Sequence, residues 1–123
     1  MKRNGATTVW ERWSYGKHCS NAHPMFGACS RQIFQGILGI NQIQKSFGYS
    51  SPVIEPHLPD KMNYAEGSFM TPKGKISVVL NRISSDTVKA DISLPKGITG
   101  ICRTNGIEES FLGEKSFFIM RAR

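Results

Sequence analysis

The sequence has few cysteines, few acidic residues and no long apolar run, and each shortage excludes a class of protein. Its three cysteines are an odd number without Cys-x-x-Cys spacing, which argues against a disulfide scaffold and against a zinc site. No run approaches the roughly 20 apolar residues that a bilayer-spanning helix needs. Residues 1–8 carry charges but no apolar segment, so no signal peptide is predicted and a cytoplasmic location is the default expectation.

The shortage of acids leaves the chain basic, with 16 basic residues against 9 acidic ones and a net charge of +7. The basic residues are scattered, and only Lys2-Arg3 and the pair Arg121 and Arg123 are concentrated. Because the sequence has no basic helix face and no recognition motif, it predicts a solvated basic surface rather than a nucleic-acid interface. A chain of 123 residues has room for one ordinary domain or for pieces of two.

Both tryptophans of the chain fall in one short window, Trp10-Glu11-Arg12-Trp13. Tryptophan rings commonly form the floor of sugar-binding clefts, because their flat apolar faces match the C–H faces of a pyranose. A carboxylate between them, Glu11, has the chemistry for proton transfer at a glycosidic centre. The ordinary alternative is that Trp10 and Trp13 are core aromatics and that Glu11 is a paired surface carboxylate.

A helix is predicted from Ala22 to about Leu38, because apolar residues recur there at intervals of three and four. Ser20 or Asn21 is a suitable N-cap, and Gly39 closes the helix. Cys29 falls on the predicted buried face. The broad apolar stripe requires a partner. Either it packs on the strands that follow or its helical partner is missing from the chain, and we expect the second.

His23 lies at the predicted start of this helix. The positive end of the helix dipole disfavours the imidazolium there, so a neutral, hydrogen-bonding imidazole is expected. Helix N-termini often border clefts, so the residues alone leave a structural and a functional role equally open for this histidine.

After a linking segment at 41–51, the hydrophobic period changes to two. The segment 52–56 is a short strand between prolines, which predicts an edge strand. Apolar residues alternate with polar ones in three further segments, 63–69, 76–80 and 88–94. Asn105-Gly106 is a strong hairpin signal. About seven short strands at regular spacing predict an antiparallel β-sandwich.

Three strings resemble the carboxy-terminal end of bacterial α-L-rhamnosidases: GATTVWERW at 5–13, SNAHPMFGA at 20–28 and PVIEP at 52–56. The resemblance covers nearly the whole chain but only the last part of the much longer family members. It implies a mixed, mainly β fold in which the last helix or helices of an (α/α)6 catalytic barrel, in residues 1–48, precede a C-terminal antiparallel β-sandwich in residues 52–123.

The resemblance also implies an activity. In this family the acid of the Trp-Glu-Arg-Trp string is the general base for inverting hydrolysis of terminal α-L-rhamnosides, a role that falls here on Glu11. His23 would line the sugar pocket, and Trp10 and Trp13 would form or support its walls. The implied partners are a rhamnose-containing glycoside or polysaccharide and the missing N-terminal part of the barrel, with no nucleic acid, membrane, metal or cofactor.

An inverting site needs a second carboxyl group about 6.5–9.5 Å from the first. Glu11 is the only acid in residues 1–21, and the general acid of the family belongs to an upstream part of the barrel. We therefore expect the chain alone to have no rhamnosidase activity. The alternative is an autonomous carbohydrate-binding or structural sandwich without catalysis. The sandwich aromatics mostly fall at strand positions consistent with a core, which disfavours sugar binding: Tyr64, Phe69, Phe111, Phe117 and Phe118.

Overall fold

The computed structural model describes residues 28–120 and, before them, Gly5, Thr8, Ser20, Ala22 and Pro24. The chain divides into two compact units, Met1–Ile33 and Phe34–Arg123. In the first unit, the Ser20 hydroxyl accepts a hydrogen bond from the backbone N–H of Ala22 at 3.3 Å, a local contact of the kind that a capping serine makes. Over the described residues, no helix is long and apolar enough to cross a membrane.

The described part of the predicted helix consists of α1, Cys29–Arg31, followed directly by a π-helix, Gln32–Ile37. It ends one residue before the predicted Leu38, and Gly39 follows with φ of 70°. The burial predicted for Cys29 is wrong, because this residue is exposed. The i→i+5 hydrogen bonding of a π-helix breaks the 3.6-residue period that predicts a continuous apolar stripe. The partner expected for the end of the stripe is also wrong, because Leu38 is buried in the core of the sandwich and the Phe34 ring lies 5.8 Å from the Phe69 ring.

Eight strands follow in the described residues: β1 Ile40–Gln42, β2 Pro52–Ile54, β3 Tyr64–Thr71, β4 Gly74–Arg82, β5 Thr87–Ser93, β6 Thr99–Thr104, β7 Ile107–Leu112 and β8 Glu114–Met120. They form two four-stranded sheets. Sheet A has the order β1-β2-β6-β7, and sheet B has the order β3-β4-β5-β8. The predicted mainly β sandwich is confirmed, and its pairs are antiparallel except for β2 with β6.

The edge position predicted for β2 is wrong, because β2 pairs with β1 on one side and with β6 on the other. Its parallel pairing with β6 joins Val53 to Ile101 and Ile54 to Cys102. Pro52 is the first residue of the strand, a position at which the missing N–H is tolerated even inside a sheet. The prolines therefore mark the ends of this strand rather than an open side.

β1 lies where the sequence indicates the helix end and a linking segment, and the close approach of Gly39 to Glu55 explains why. The Glu55 N–H donates to the Gly39 carbonyl at 2.9 Å. A Cβ placed on Gly39 would lie 2.1 Å from the Glu55 carbonyl carbon. Only glycine permits this contact together with a positive φ, and the contact sets the next three residues beside β2.

The core lies between the two sheets. Sheet B contributes the alternating residues that the sequence predicts to share one face, and all are buried: Ile76, Val78, Leu80, Val88, Ala90 and Ile92. Sheet A contributes Ile40, Ile54, Cys102 and Phe111. Phe111 of sheet A meets Phe117 of sheet B edge to face, with ring centroids 5.1 Å apart. Burial of each large apolar side chain contributes about 1.5–3 kcal/mol.

Candidate functional site

The sugar site predicted from the sequence falls on residues that the structure does not describe. Trp10, Glu11, Trp13 and His23 all lie outside the described residues, so their roles stay predictions. What the structure defines is the surface of the second unit. Two regions of that surface combine polar groups with apolar ones, a cavity at one end of the sandwich and the outer face of sheet B.

The cavity has a volume of about 470 Å³. It opens between the segment that follows β2, the turn from β4 to β5 and the last residues of β8. Its lining consists of Pro56, His57, Leu58, Pro59, Asp60, Arg82, Asp86, Val88, Ile119 and Met120. Apolar walls with a few convergent polar groups are typical of sites for small molecules.

Arg82 fixes one wall of this cavity. Its Nε donates to the Met62 carbonyl at 3.1 Å, and one terminal nitrogen donates to the carbonyls of Leu58 at 3.2 Å and Pro59 at 3.0 Å. The backbone N–H of Arg82 also donates to the Asn63 carbonyl at 2.9 Å. The planar guanidinium thus holds a strandless segment against the end of β4.

The segment after β2 is also held at its beginning, where the His57 backbone N–H donates to the Ile37 carbonyl at 2.8 Å. The sequence gives no signal for this cavity. Its polar side chains come from a loop, a strand end and a turn, and the partners of Arg82 are carbonyl groups, which every residue carries. Spacing within the sequence therefore cannot indicate it.

The described residues show no cluster of metal ligands and no reactive thiol in the core. They contain no group of three or more His, Cys, Asp and Glu side chains placed to hold a metal ion. Cys102 is buried in the core, and burial, with a smaller contribution from Glu109, raises the pKa of its thiol to about 12. This cysteine is therefore protonated at neutral pH and serves as a small core residue.

The prediction that the strand aromatics belong to the core is wrong for two residues on the outer face of sheet B. Phe111 and Phe117 are buried and Phe69 packs partly against the core, as predicted. Tyr64 and Phe118 are instead 50% and 55% exposed. Both occupy strand positions whose side chains point away from the opposite sheet, so the alternation of their strands places them in solvent.

A model of the bacterial alpha-L-rhamnosidase C-terminal domain matches residues 39–113, which is more than half of the chain. A curated alpha-L-rhamnosidase from Alteromonas sp. (strain LOR) is 37% identical over 106 residues, covering 78% of this chain and 11% of that protein. A second, from Formosa agariphila, is 27% identical. The chain thus spans about 11% of the length of the curated relatives that it matches.

Solved structures show the same fold. The alpha-L-rhamnosidase of Aspergillus terreus superimposes with a TM-score of 0.72 at 20% identity, covering 93% of this chain and 14% of that one. The Streptomyces avermitilis alpha-L-rhamnosidase, complexed with L-rhamnose, gives a TM-score of 0.72 at 21% identity and covers 94% and 14%. Because the family match covers more than half of the chain, this chain belongs to the family of bacterial alpha-L-rhamnosidase C-terminal domains.

Proposed function

We propose that this chain is the C-terminal segment of an α-L-rhamnosidase and supplies the general base, Glu11, for inverting hydrolysis of terminal α-L-rhamnosides. The Trp10-Glu11-Arg12-Trp13 string supports the role of Glu11, and the extent of the similarity supports the assignment of residues before the sandwich to an α-L-rhamnosidase. The match to the Alteromonas enzyme covers 78% of the chain, whereas residues 39–123 amount to only about 69% of it. The similarity to a whole rhamnosidase therefore extends into the region before the sandwich.

In this proposal, residues 1–48 are the end of an (α/α)6 catalytic barrel and residues 52–123 are the sandwich domain. The Glu11 carboxylate takes a proton from water as that water attacks the anomeric carbon. Trp10 and Trp13 stack on or support the sugar ring, and His23 lines the same pocket. The substrate is a glycoside or polysaccharide with terminal L-rhamnose.

We also propose that the chain alone is inactive. Inversion requires a general acid opposite the base, and Glu11 is the only acid in residues 1–21. The acids of the described residues all lie within the sandwich domain, from Glu55 onward. The remainder of a catalytic barrel is therefore the partner that this segment needs.

A chimera tests the assignment. The matching region of the Alteromonas enzyme is replaced by this chain, and release of p-nitrophenol from an aryl α-L-rhamnoside is measured with and without Glu11→Gln. Loss of a general base should lower kcat about 100- to 10,000-fold. Glu108→Gln is the matched control, because Glu108 is an exposed hairpin residue paired with Arg103 at 2.6 Å.

Two outcomes would contradict the proposal. A Glu11→Gln chimera with the kcat of the parent chimera would remove Glu11 from the base role. Hydrolysis by the 123-residue chain itself, abolished by Glu11→Gln, would show that no further barrel segment is needed. Proton NMR of the first product, expected to be the β anomer, tests inversion independently of both.

A further inference from the structure

The outer face of sheet B carries a row of four side chains that runs across all four strands. The strand register pairs Tyr64 with Asn81, Asn81 with Lys89, and Lys89 with Phe118. Residues paired in this way share one face of a sheet. The row therefore has an exposed aromatic side chain at each end and an amide and an ammonium group between them.

The two aromatic ends are far enough apart to contact different units of one ligand. Neighbouring strands lie about 4.8 Å apart, so the three intervals from β3 to β8 separate Tyr64 and Phe118 by about 14 Å. That separation suits a short chain of rings rather than a single ring. Aromatic faces of this kind stack on apolar C–H surfaces.

A groove of about 430 Å³ runs beside this row on β4, β5 and β8. Its outward-facing lining is mainly hydroxyl and carboxylate groups around one apolar side chain: Ser77, Val79, Asp91, Glu114 and Ser116. Hydroxyls and carboxylates both form hydrogen bonds with sugar hydroxyl groups. The concave surface and the aromatic row thus occupy one continuous face.

Several side chains on this face are held in place before any ligand arrives. The Tyr64 hydroxyl donates to Glu66 Oε2 at 2.5 Å, and Lys89 Nζ lies 2.8 Å from Asp91 Oδ1. The Ser116 hydroxyl also donates to Asp91. Such contacts lower the entropic cost of binding, because the side chains are ordered already. Within the described residues the Asn81 amide makes no side-chain hydrogen bond, which leaves its donors and acceptor for a ligand.

The charges of this face indicate what kind of ligand it accepts. The outward-facing residues of the four strands include three acids and two bases, Glu66, Asp91 and Glu114 against Lys75 and Lys89. The chain as a whole carries +7, yet this face has no positive excess. A polyanion gains nothing here, whereas an uncharged chain of hydroxyl-rich rings meets matching groups.

We propose that the outer face of sheet B binds a neutral oligosaccharide laid across the strands, with Tyr64 and Phe118 stacking on separate sugar rings and Asn81 bonding to hydroxyl groups between them. This site lies in the sandwich and does not involve Glu11. Binding at this face is therefore independent of the hydrolytic function proposed for Glu11.

The test uses the full chain and a tetrasaccharide of α-linked L-rhamnose as the neutral probe, with tetragalacturonate as the acidic probe. Amide shifts in a ¹H–¹⁵N spectrum report where each probe binds. We expect the neutral probe to bind with a Kd of about 0.1–1 mM and to shift the amides of Asn81 and Lys89. Tyr64→Ala and Phe118→Ala should each weaken binding about 2- to 10-fold, and the double variant should abolish it.

Phe47→Ala is the matched control. Phe47 is 85% exposed in the loop between β1 and β2, and its loss should leave the affinity unchanged. Glu11→Gln should also bind as the parent chain does. The proposal is wrong if the neutral probe causes no shifts at about 10 mM, if the double variant binds as well as the parent, or if only the acidic probe binds.

Discussion

The Arg82 guanidinium donates a hydrogen bond to the carbonyl oxygen of Pro59 across 3.0 Å, joining the end of β4 to a segment that has no strand partner. The same side chain bonds the carbonyls of Leu58 and Met62. One arginine thus satisfies three backbone acceptors that a sheet would otherwise satisfy. The end wall of the sandwich depends on the shape of this group as well as on its charge.

Replacing Arg82 should therefore destabilise the domain. We expect Arg82→Met to lower the free energy of unfolding by about 2–4 kcal/mol, because charged hydrogen bonds are lost and three carbonyls need new partners. Arg82→Lys should cost less, since an ammonium group restores some of these bonds. Urea titration measures both.

Arg103→Lys is the control for loss of a guanidinium, because the partner of Arg103 among the described residues is Glu108, in an exposed pair. Its effect should stay below about 0.5 kcal/mol. Equal effects at Arg82 and Arg103 would show that the three carbonyl contacts contribute nothing to stability.

Gly39→Ala should prevent the sandwich from folding or cost more than about 4 kcal/mol. The new Cβ would meet backbone atoms of Glu55 at 2.1 Å, and backbone cannot rotate away as a side chain can. Gly97→Ala separates this clash from the cost of a positive φ. Gly97 has φ of 80° but open space where its Cβ would be, so about 1–2 kcal/mol is expected. Circular dichroism melting curves compare the two, and similar melting temperatures would disprove the role assigned to the Gly39 contact.

Asn105 connects the β6–β7 turn to the edge of sheet B. Its amide nitrogen donates to the Phe118 carbonyl at 2.9 Å, and its amide oxygen accepts from the Met120 N–H at 2.8 Å. Asn105→Gly keeps the positive φ of the turn but loses both bonds, so we expect a loss of about 1–2 kcal/mol in unfolding free energy and faster exchange of the Met120 amide. Asn105→Ala should cost about 1 kcal/mol more, because alanine is strained at this φ. An unchanged exchange rate in Asn105→Gly would contradict the bonding described.

Asp91 gives the domain a small pH dependence. Hydrogen bonds from Lys89 and Ser116 hold the pKa of its carboxyl below the ordinary value of 3.8. The resulting stability is fully present above that value and is lost as the pH falls through the lower, folded-state pKa. We expect Asp91→Asn to destabilise the domain by less than about 1 kcal/mol at neutral pH, because the pair is exposed.

The difference between parent and Asp91→Asn should vanish in acid, where the parent carboxyl is also neutral. Unfolding curves measured from neutral pH to about pH 2 follow this loss. A stability difference that grows in acid would contradict a lowered pKa for the Asp91 carboxyl.

The parts of the fold that could be predicted from the sequence are those determined by residues close together in the chain. β4 and β5 alternate over whole strands, so their buried faces were predictable, and Asn105-Gly106 forms the turn that this dipeptide favours. β1 and the interior position of β2 were not predictable. Each is three residues long, and their placement depends on contacts with residues far along the chain, such as Ile101.

The surface of the domain was less predictable than its core. An aromatic residue in a strand raises the same expectation of burial on either face, so Tyr64 and Phe118 were assigned to the core with Phe117. Only the register shows that they stand on the outer side and in one row. Similarly, the three hydrogen bonds of Arg82 could not be predicted, because their acceptors are backbone carbonyls, which every residue carries. The site predicted at Glu11 comes from the Trp10-Glu11-Arg12-Trp13 string, which is local in the sequence.

The parallel pairing of β2 with β6 also makes sheet A depend on contacts between residues far apart in the sequence. Val53 pairs with Ile101, so forming sheet A closes a long loop of the chain. By contrast, β3, β4 and β5 are consecutive in the sequence and pair with one another. Contacts between distant residues slow folding, because loop closure costs entropy before any contact is gained. During synthesis, β3, β4 and β5 are made before β6, β7 and β8. The last three strands are then needed to complete both sheets. The stretch 99–120 therefore supplies three of the eight strands, β6, β7 and β8, and a chain without it would leave the apolar face of β3 to β5 without two of the four strands of sheet A.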